Sequence, residues 1–481
     1  MRKTTGRIMR RALFVSTCVV GLGACAAGPD YRPPAALPEV SAGPFVSMAP
    51  GTSAEQPQGR WWRLYDDPAL DSLIGKALAA NTDLRGAAAN LARAQAVLRE
   101  SRSGRLPSTD LSGGVSYGDG SGIAGQGNGE KQWSYTGGMG ISWEVDLFGR
   151  IARSIEAARA DRDATAAARN RVAVIVAAET ARAYTDACVL AESGAVARES
   201  IAIAQRGLEI VTTQQRVGTA SRLDVERAAA ALANARAALP PLEGARQYAL
   251  FELAALMGLP PAQVPEEARQ CARMPQPVSS IPVGDGQGLI VRRPDVREAE
   301  RQLAADTARI GVATADLYPR IALGGSGNFF RNDQVKGSDS FSFSLGPLLS
   351  WSFPNIAVAR ARIAQAEAGT QASLARFDGA VLTALKEVEQ ALTMVAADAA
   401  RREALADAAN RANTAYDLAN LRYRAGSLSF LELLDTQRTL LDARATLASA
   451  DRTLGSARID LFKALGGGWQ DIAPASPAPA E

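Results

Sequence analysis

Asp83-Leu84-Arg85 recurs as Asp295-Val296-Arg297, and from each triplet the chain runs through one pattern. The copies stay parallel at offsets of 212 residues there, 205 from Gly149 to Pro354, and 208 from Arg216 to Arg424. Each copy reads as an Ala-rich helical stretch, two strands with two-residue alternation, and a long proline-poor helical stretch broken at one glycine. A repeat this long limits the chain to an architecture built twice.

The strands carry the clearest chemistry. From Trp133 to Leu147, Trp133, Tyr135, Met139, Ile141, Trp143, Val145 and Leu147 take one face, and Ser134, Thr136, Gly138, Gly140, Ser142, Glu144 and Asp146 the other. That is strand periodicity. Leu111 to Tyr117 is the predicted partner across a Gly-rich loop. In the second copy Ile321, Leu323 and Phe329 alternate with small residues, and Phe341, Phe343, Leu345, Leu349, Trp351 and Phe353 follow the polar loop 331–340. An apolar, aromatic face opposite Ser, Gly, Thr and acids suits a membrane strand with lipid on one side and water on the other, and ~10 residues suffice to cross. Single-chain bacterial barrels begin at roughly eight strands, and open edges are not tolerated in lipid. Four strands per chain therefore predict pooling between chains, and three chains supply twelve.

Proline is absent between Gly149 and Leu239 and between Asn355 and Ala473. A helix from Gly149 to about Gln215 would be on the order of 100 Å long, several times a hydrocarbon core. In the last helix Leu433, Leu440, Leu447, Leu454 and Leu461 repeat every seven, with Thr436, Ala443, Ala450, Ala457 and Ala464 three residues after each. This is a coiled-coil seam with small residues at alternate layers. In the first copy Arg246 interrupts the equivalent series, and Pro240 and Pro241 predict a kink or break. The domain reading is a signal peptide 1–24, an extended segment 25–66, a first repeat 67–259, a Pro-rich linker 260–286, a second repeat 287–468 and a tail 469–481.

Arg2, Lys3, Arg7, Arg10 and Arg11 precede the apolar run Ala12 to Ala24, which is too short to span a bilayer and reads as an export signal. Leu22-Gly23-Ala24-Cys25 has the form of a bacterial lipobox, making Cys25 a lipidated first mature residue. Without the leader, 48 basic face 50 acidic side chains, so nothing suggests nucleic acid. Cys188 and Cys271 remain, and their spacing leaves pairing open. Histidine is absent altogether. With no nucleophile and base, phosphate loop or metal cluster visible, the chain does not read as an enzyme and no cofactor is expected beyond the lipid on Cys25.

Trp143-Glu144-Val145-Asp146-Leu147-Phe148-Gly149-Arg150, Arg292-Arg293-Pro294-Asp295, Leu317-Tyr318-Pro319-Arg320, Arg422-Tyr423-Arg424-Ala425-Gly426 and the run Leu461 to Trp469 are spread over nearly the whole chain. In these residues the chain resembles the TolC-like outer-membrane efflux proteins, specifically the OprM/NodT lipoprotein branch. The resemblance implies a mainly α protein with membrane β: a homotrimer whose twelve-stranded barrel continues into a twelve-helix periplasmic barrel. It also implies a tapered tip that meets a periplasmic adaptor and an inner-membrane pump of the RND type.

Two helix-to-helix breaks, 216–221 and 424–429, pair a glycine with a capping box, Ser221 with Asp224 and Ser429 with Glu432. Asp435 has no capping role, stands where the first copy has Arg227, and shares nearly one face with Glu432. In a threefold assembly these acids would form rings that favour cations. By resemblance Glu432 and Asp435 match the pore constriction, Asp224 and Tyr423 match residues that close the tip, and Gly218 and Gly426 mark the turns that contact the adaptor. The expected function is a passive exit duct for small toxic solutes, in the outer membrane and extending into the periplasm. Alternatives are a duct for type I protein secretion or metal efflux and, more distantly, a lipid-anchored coiled-coil scaffold.

Overall fold

The computed structural model describes residues 26–34, 43–119, 131–351 and 356–470. The predicted signal peptide, Cys25, part of the extended segment and the end of the tail lie outside the described residues. The chain is mainly helical with few strands. Its principal helices are α1 (Pro68–Ala80), α2 (Thr82–Ser103), α3 (Arg150–Arg216), α4 (Arg222–Ala237), α5 (Leu239–Leu256), α6 (Gly286–Arg292), α7 (Pro294–Ala315), α8 (Ile356–Arg424) and α9 (Phe430–Ala464). The main strands are β1 (Ser108–Asp119), β2 (Lys131–Val145), β3 (Arg320–Arg331) and β4 (Phe341–Ser350). The chain divides into two units, one of Met1–Pro34, Leu91–Thr165 and Glu298–Asp378, the other of Ala35–Asn90, Ala166–Arg297 and Gly379–Glu481.

The first unit holds one antiparallel sheet in the order β1-β2-β3-β4, so consecutive strands are neighbours and β1 and β4 are its edges. Each hairpin joins adjacent strands, the connection that antiparallel pairing permits. Where β2 ends, Asp146 accepts hydrogen bonds from the Ile151 and Ala152 amides at 3.0 and 2.7 Å, capping α3, and Glu144 pairs with Arg150 at 2.6 Å. Leu98, Ile151, Ile155 and Ala158 form a buried cluster at the start of α3. The N-terminal segment docks beside it: the Ala27 amide donates to the Phe148 carbonyl at 3.0 Å, and buried Arg153 pairs with Asp30 at 2.6 Å.

In the second unit most of the coiled-coil seam is buried, with Leu433, Leu440, Leu454 and Leu461 at 5%, 1%, 5% and 0% exposure and Leu447 half-buried. The predicted break near Pro240 falls at Ala238: α5 restarts at Leu239, which leaves both prolines in its first turn, where a missing N–H costs no helical bond. Arg246, which interrupts the first-copy seam, donates to the linker carbonyl of Arg269 at 2.5 Å. The same linker is fastened to α3 by a Cys188–Cys271 disulfide, settling the pairing that sequence leaves open. Trp61 stacks on Phe462 at 4.4 Å, packing the segment before α1 against α9.

The motif Arg292-Arg293-Pro294-Asp295 has a structural task here. Arg293 donates to the Ala464 carbonyl and Arg292 to the Leu465 carbonyl, at 2.9 and 2.8 Å, satisfying acceptors that the end of α9 leaves open. Asp295 and Glu387 hold the Arg293 guanidinium at 2.6 and 2.8 Å. At the corresponding place in the first half, Asn81 donates to the Leu256 carbonyl at 2.9 Å at the end of α5.

Candidate functional site

The register sorts the sheet into two chemically distinct faces. Leu111 lies opposite Met139, Val115 opposite Tyr135 and Tyr117 opposite Trp133 across β1 and β2. Trp143 lies opposite Leu323, Ile321 opposite Leu349, and Phe329 opposite Phe341 across the remaining pairs. Every one of these residues sits on one face, because a side chain alternates with each step along a strand. Phe343 and Leu345 are 90% and 87% exposed there. The opposite face carries Ser112, Ser116, Ser134, Thr136, Ser142, Ser326, Asn328 and Ser344. Its hydroxyls pair across strands, Ser116 with Ser134 at 2.8 Å and Ser326 with Ser344 at 2.9 Å.

Aromatic side chains gather at both ends of the apolar face. Tyr117 packs on Trp133 at 5.1 Å and Phe329 on Phe341 at 5.2 Å at the loop end. At the helix end Phe148 stacks on Tyr318 at 4.5 Å, and the Trp143 indole N–H donates to the Arg105 carbonyl at 2.9 Å. Trp133 and Trp143 are ten residues apart on β2, on the order of 34 Å of strand, which a tilt of about 40° reduces to roughly 26 Å. An apolar band of that height with aromatic residues at both ends is the pattern expected of strands that cross a membrane. No described helix is long and apolar enough to cross a membrane.

The second site comprises the two turns at the ends of α3 and α8. Gly218 and Gly426 adopt φ of +83° and +75°, the left-handed region that favours glycine. Around Gly218 the Thr219 amide donates to the Gln214 carbonyl at 2.9 Å and the Gly218 amide to Gln215 at 3.1 Å. Around Gly426 the Ser427 amide donates to Arg422 and the Gly426 amide to Tyr423, both at 2.9 Å. Both are Schellman closures that satisfy the last helical carbonyls.

Each turn then restarts a helix through a complete capping box. The Asp224 carboxylate accepts from the Ser221 amide and hydroxyl at 3.2 and 2.7 Å; Glu432 accepts from the Ser429 amide and hydroxyl at 2.9 and 2.7 Å. The Ser221 hydrogen bonds, with Arg227 in support at 3.7 Å, hold the Asp224 carboxyl below its ordinary value, and the Ser429 hydrogen bonds do the same for Glu432.

Tyr423 and Asp224 are near one another but not bonded. The Tyr423 hydroxyl donates to the Gln214 side chain, while burial and, secondarily, the Asp224 charge push its pKa up. Gln214 carries no sequence signal of this contact, since it reads as one of two consecutive helical glutamines. Asp435 is exposed and, among the described residues, its carboxylate has no hydrogen-bond or ion-pair partner. With Glu432 and Arg422 it lines a hollow between the ends of α8 and α9. No described group of His, Cys, Asp or Glu could hold a metal ion.

The family described as outer membrane efflux protein matches the chain twice, over residues 73–259 and 287–467. The pyoverdine export outer membrane protein OpmQ of Pseudomonas aeruginosa is 30% identical over 96% of this chain and 98% of its own length. The probable outer membrane lipoprotein SilC of Salmonella typhimurium is 28% identical over 95% and 99%. Among solved structures, the outer-membrane channel OprN superposes with a TM-score of 0.84 at 32% identity, covering 93% of this chain and all of its own. The twofold match brackets both hairpins and both turns, and this chain belongs to the outer membrane efflux protein family.

Proposed function

We propose that three copies of this chain, each a twofold repeat of one unit, close a twelve-stranded barrel in the outer membrane and a helical barrel below it. Together they serve as the passive exit duct of a tripartite efflux system. The efflux role and the outer-membrane location follow from family membership. The observation that carries the trimer is the sheet register: one face apolar and aromatic with charged residues at the loop end, the other serine-rich, and two strand edges with no partner among the described residues. Exposed edges and an exposed aromatic face together ask for lipid outside, water inside and another sheet at each edge.

In this reading Cys25 carries the lipid anchor, and Glu432 and Asp435 line the constriction, where Asp435, without an ion-pair partner among the described residues, adds negative charge. Asp224 and Tyr423 hold the closed tip, Tyr423 through Gln214. The Gly218 and Gly426 turns face a periplasmic adaptor, which joins the duct to an inner-membrane pump of the RND type. Small toxic solutes are the cargo, moved without chemistry by this chain.

Mass measurement in mild detergent followed by planar-bilayer recording tests the reading. A three-chain particle that conducts supports it. A single chain that remains soluble without detergent after delipidation would instead indicate a scaffold.

A further inference from the structure

At the helix end of the membrane sheet, three cations cluster within seven residues of the chain. Arg99 and Arg102 are exposed, one turn apart on one face of α2, and Arg105 is exposed three residues on, just before β1. Among the described residues none of their guanidinium groups is paired with a carboxylate. Glu100 is the one acid in this stretch. Arg150, Arg153 and Arg320 of the same unit are paired, with Glu144 at 2.6 Å, Asp30 at 2.6 Å and Asp316 at 2.8 Å, whereas Arg93, Arg331, Arg360 and Arg376 also lack a carboxylate partner among the described residues but do not form such a cluster in sequence.

The backbone beneath the three arginines is fixed. The Arg105 amide donates to the Arg102 carbonyl and the Leu106 amide to Ser103, at 3.2 and 2.9 Å. The Trp143 indole then ties the Arg105 carbonyl to the apolar face of the sheet at 2.9 Å, at the level of the aromatic residues at its helix end. Leu106, beside Arg105, is 65% exposed. The second half gives the contrast. Positions 212 residues on are Gly311, Thr314 and Leu317, and Gly311 is covered by the N-terminal segment, where a Cβ on Gly28 would meet the Gly311 Cα at 2.4 Å. One half uses this surface to seat its own chain; the other leaves it open, basic and flanked by apolar surface.

We propose that Arg99, Arg102 and Arg105 seat the headgroup of an anionic phospholipid of the inner leaflet, one site per chain, with an acyl chain against Leu106 and the sheet. Charge complementarity selects the occupant: unpaired guanidinium groups match phosphate geometry, and basic clusters flanking a membrane span attract acidic headgroups. The proposal rests on the reading that the sheet spans lipid.

Native mass spectrometry of the full-length trimer, incubated with vesicles of phosphatidylcholine alone or mixed with cardiolipin, tests it. The wild type should retain cardiolipin in preference to phosphatidylcholine. The triple variant R99Q/R102Q/R105Q should keep the same oligomeric mass and bilayer conductance while cardiolipin retention falls on the order of a hundredfold. Equal retention by both proteins, or wild-type retention of phosphatidylcholine as strong as of cardiolipin, overturns the proposal while conductance stays intact. Displacement of cardiolipin by inorganic phosphate at matched ionic strength would assign the site to free phosphate and also overturn it. A wild-type chain that neither enters bilayers nor conducts would refute the membrane reading itself.

Discussion

After Ser221 the first half of the chain runs 16 residues as α4 and breaks at Ala238, whereas after Ser429 the second half runs 35 residues as unbroken α9. The turns feeding these helices are the same object, with one left-handed glycine, one Schellman closure and one capping box in each. What differs is downstream. The first half carries Pro240 and Pro241, a disulfide and Arg246, all of which engage the break or the linker. The second carries an uninterrupted seam and the unpaired acid Asp435. The shared turns locate where two helices reverse; the differences allot fastening to the first half and an exposed acid beside the turn to the second.

Exchanging the proline pattern should break this comparison most forcefully. Ala448→Pro, 208 residues after Pro240, places proline inside a continuous helix and should cost about 3 kcal/mol or more, whereas Pro240→Ala, at a first turn, should stay within about 0.5 kcal/mol. Thermal unfolding followed by circular dichroism separates the two. Equal losses would show that the halves are not distinguished by helix continuity.

Removing the fastening comes next. Cys188→Ser with Cys271→Ser should destabilise the chain by roughly 2–4 kcal/mol, because the bond closes a long loop. Its sequence separation is 83 residues. A thiol reductant should lower the wild-type midpoint and leave the double variant unchanged.

The charge difference is sharpened by conductance. Asp435→Ala should raise single-channel conductance and weaken block by multivalent cations, since an exposed acid without a protein partner is free to act on ions. Arg227→Ala, at the corresponding position but beside Asp224, should change both much less. Unchanged conductance and unchanged block in Asp435→Ala would remove that residue from the constriction.

The smallest effects belong to the shared turns. Ser221→Ala and Ser429→Ala should each cost about 1 kcal/mol at neutral pH. Both capped carboxyls lie below their ordinary values of 3.8 for Asp224 and 4.5 for Glu432, so their contribution is complete above those values and is lost as acid takes each group through its lowered pKa. The gap between wild type and each variant should therefore close only in strong acid. Unequal costs at the two turns would contradict their equivalence.

Much of this was legible in the residues. The strand faces could be read because a two-residue period fixes every side chain once one is placed, and Trp133 to Val145 holds it without error. Ser221 with Asp224 and Ser429 with Glu432 disclosed the helix restarts, and Pro240 disclosed the break. Contacts between residues distant in sequence were not legible. Nothing near Cys188 indicates Cys271, nothing near Gln214 indicates Tyr423, and Glu389 gives no hint that it accepts the Val46 and Ser47 amides, both at 2.8 Å. Local rules describe neighbours along an element, whereas these pairs depend on how long helices lie side by side.

The central claim is that the free edges of β1 and β4 join between chains. Ser112→Cys on β1 combined with Ser344→Cys on β4, treated in intact cells with a short bifunctional thiol reagent, tests this directly. The account predicts covalent dimers and trimers, with neither single-cysteine variant forming trimers. Exclusively monomeric product, in cells where both cysteines react with a monofunctional probe, would contradict it.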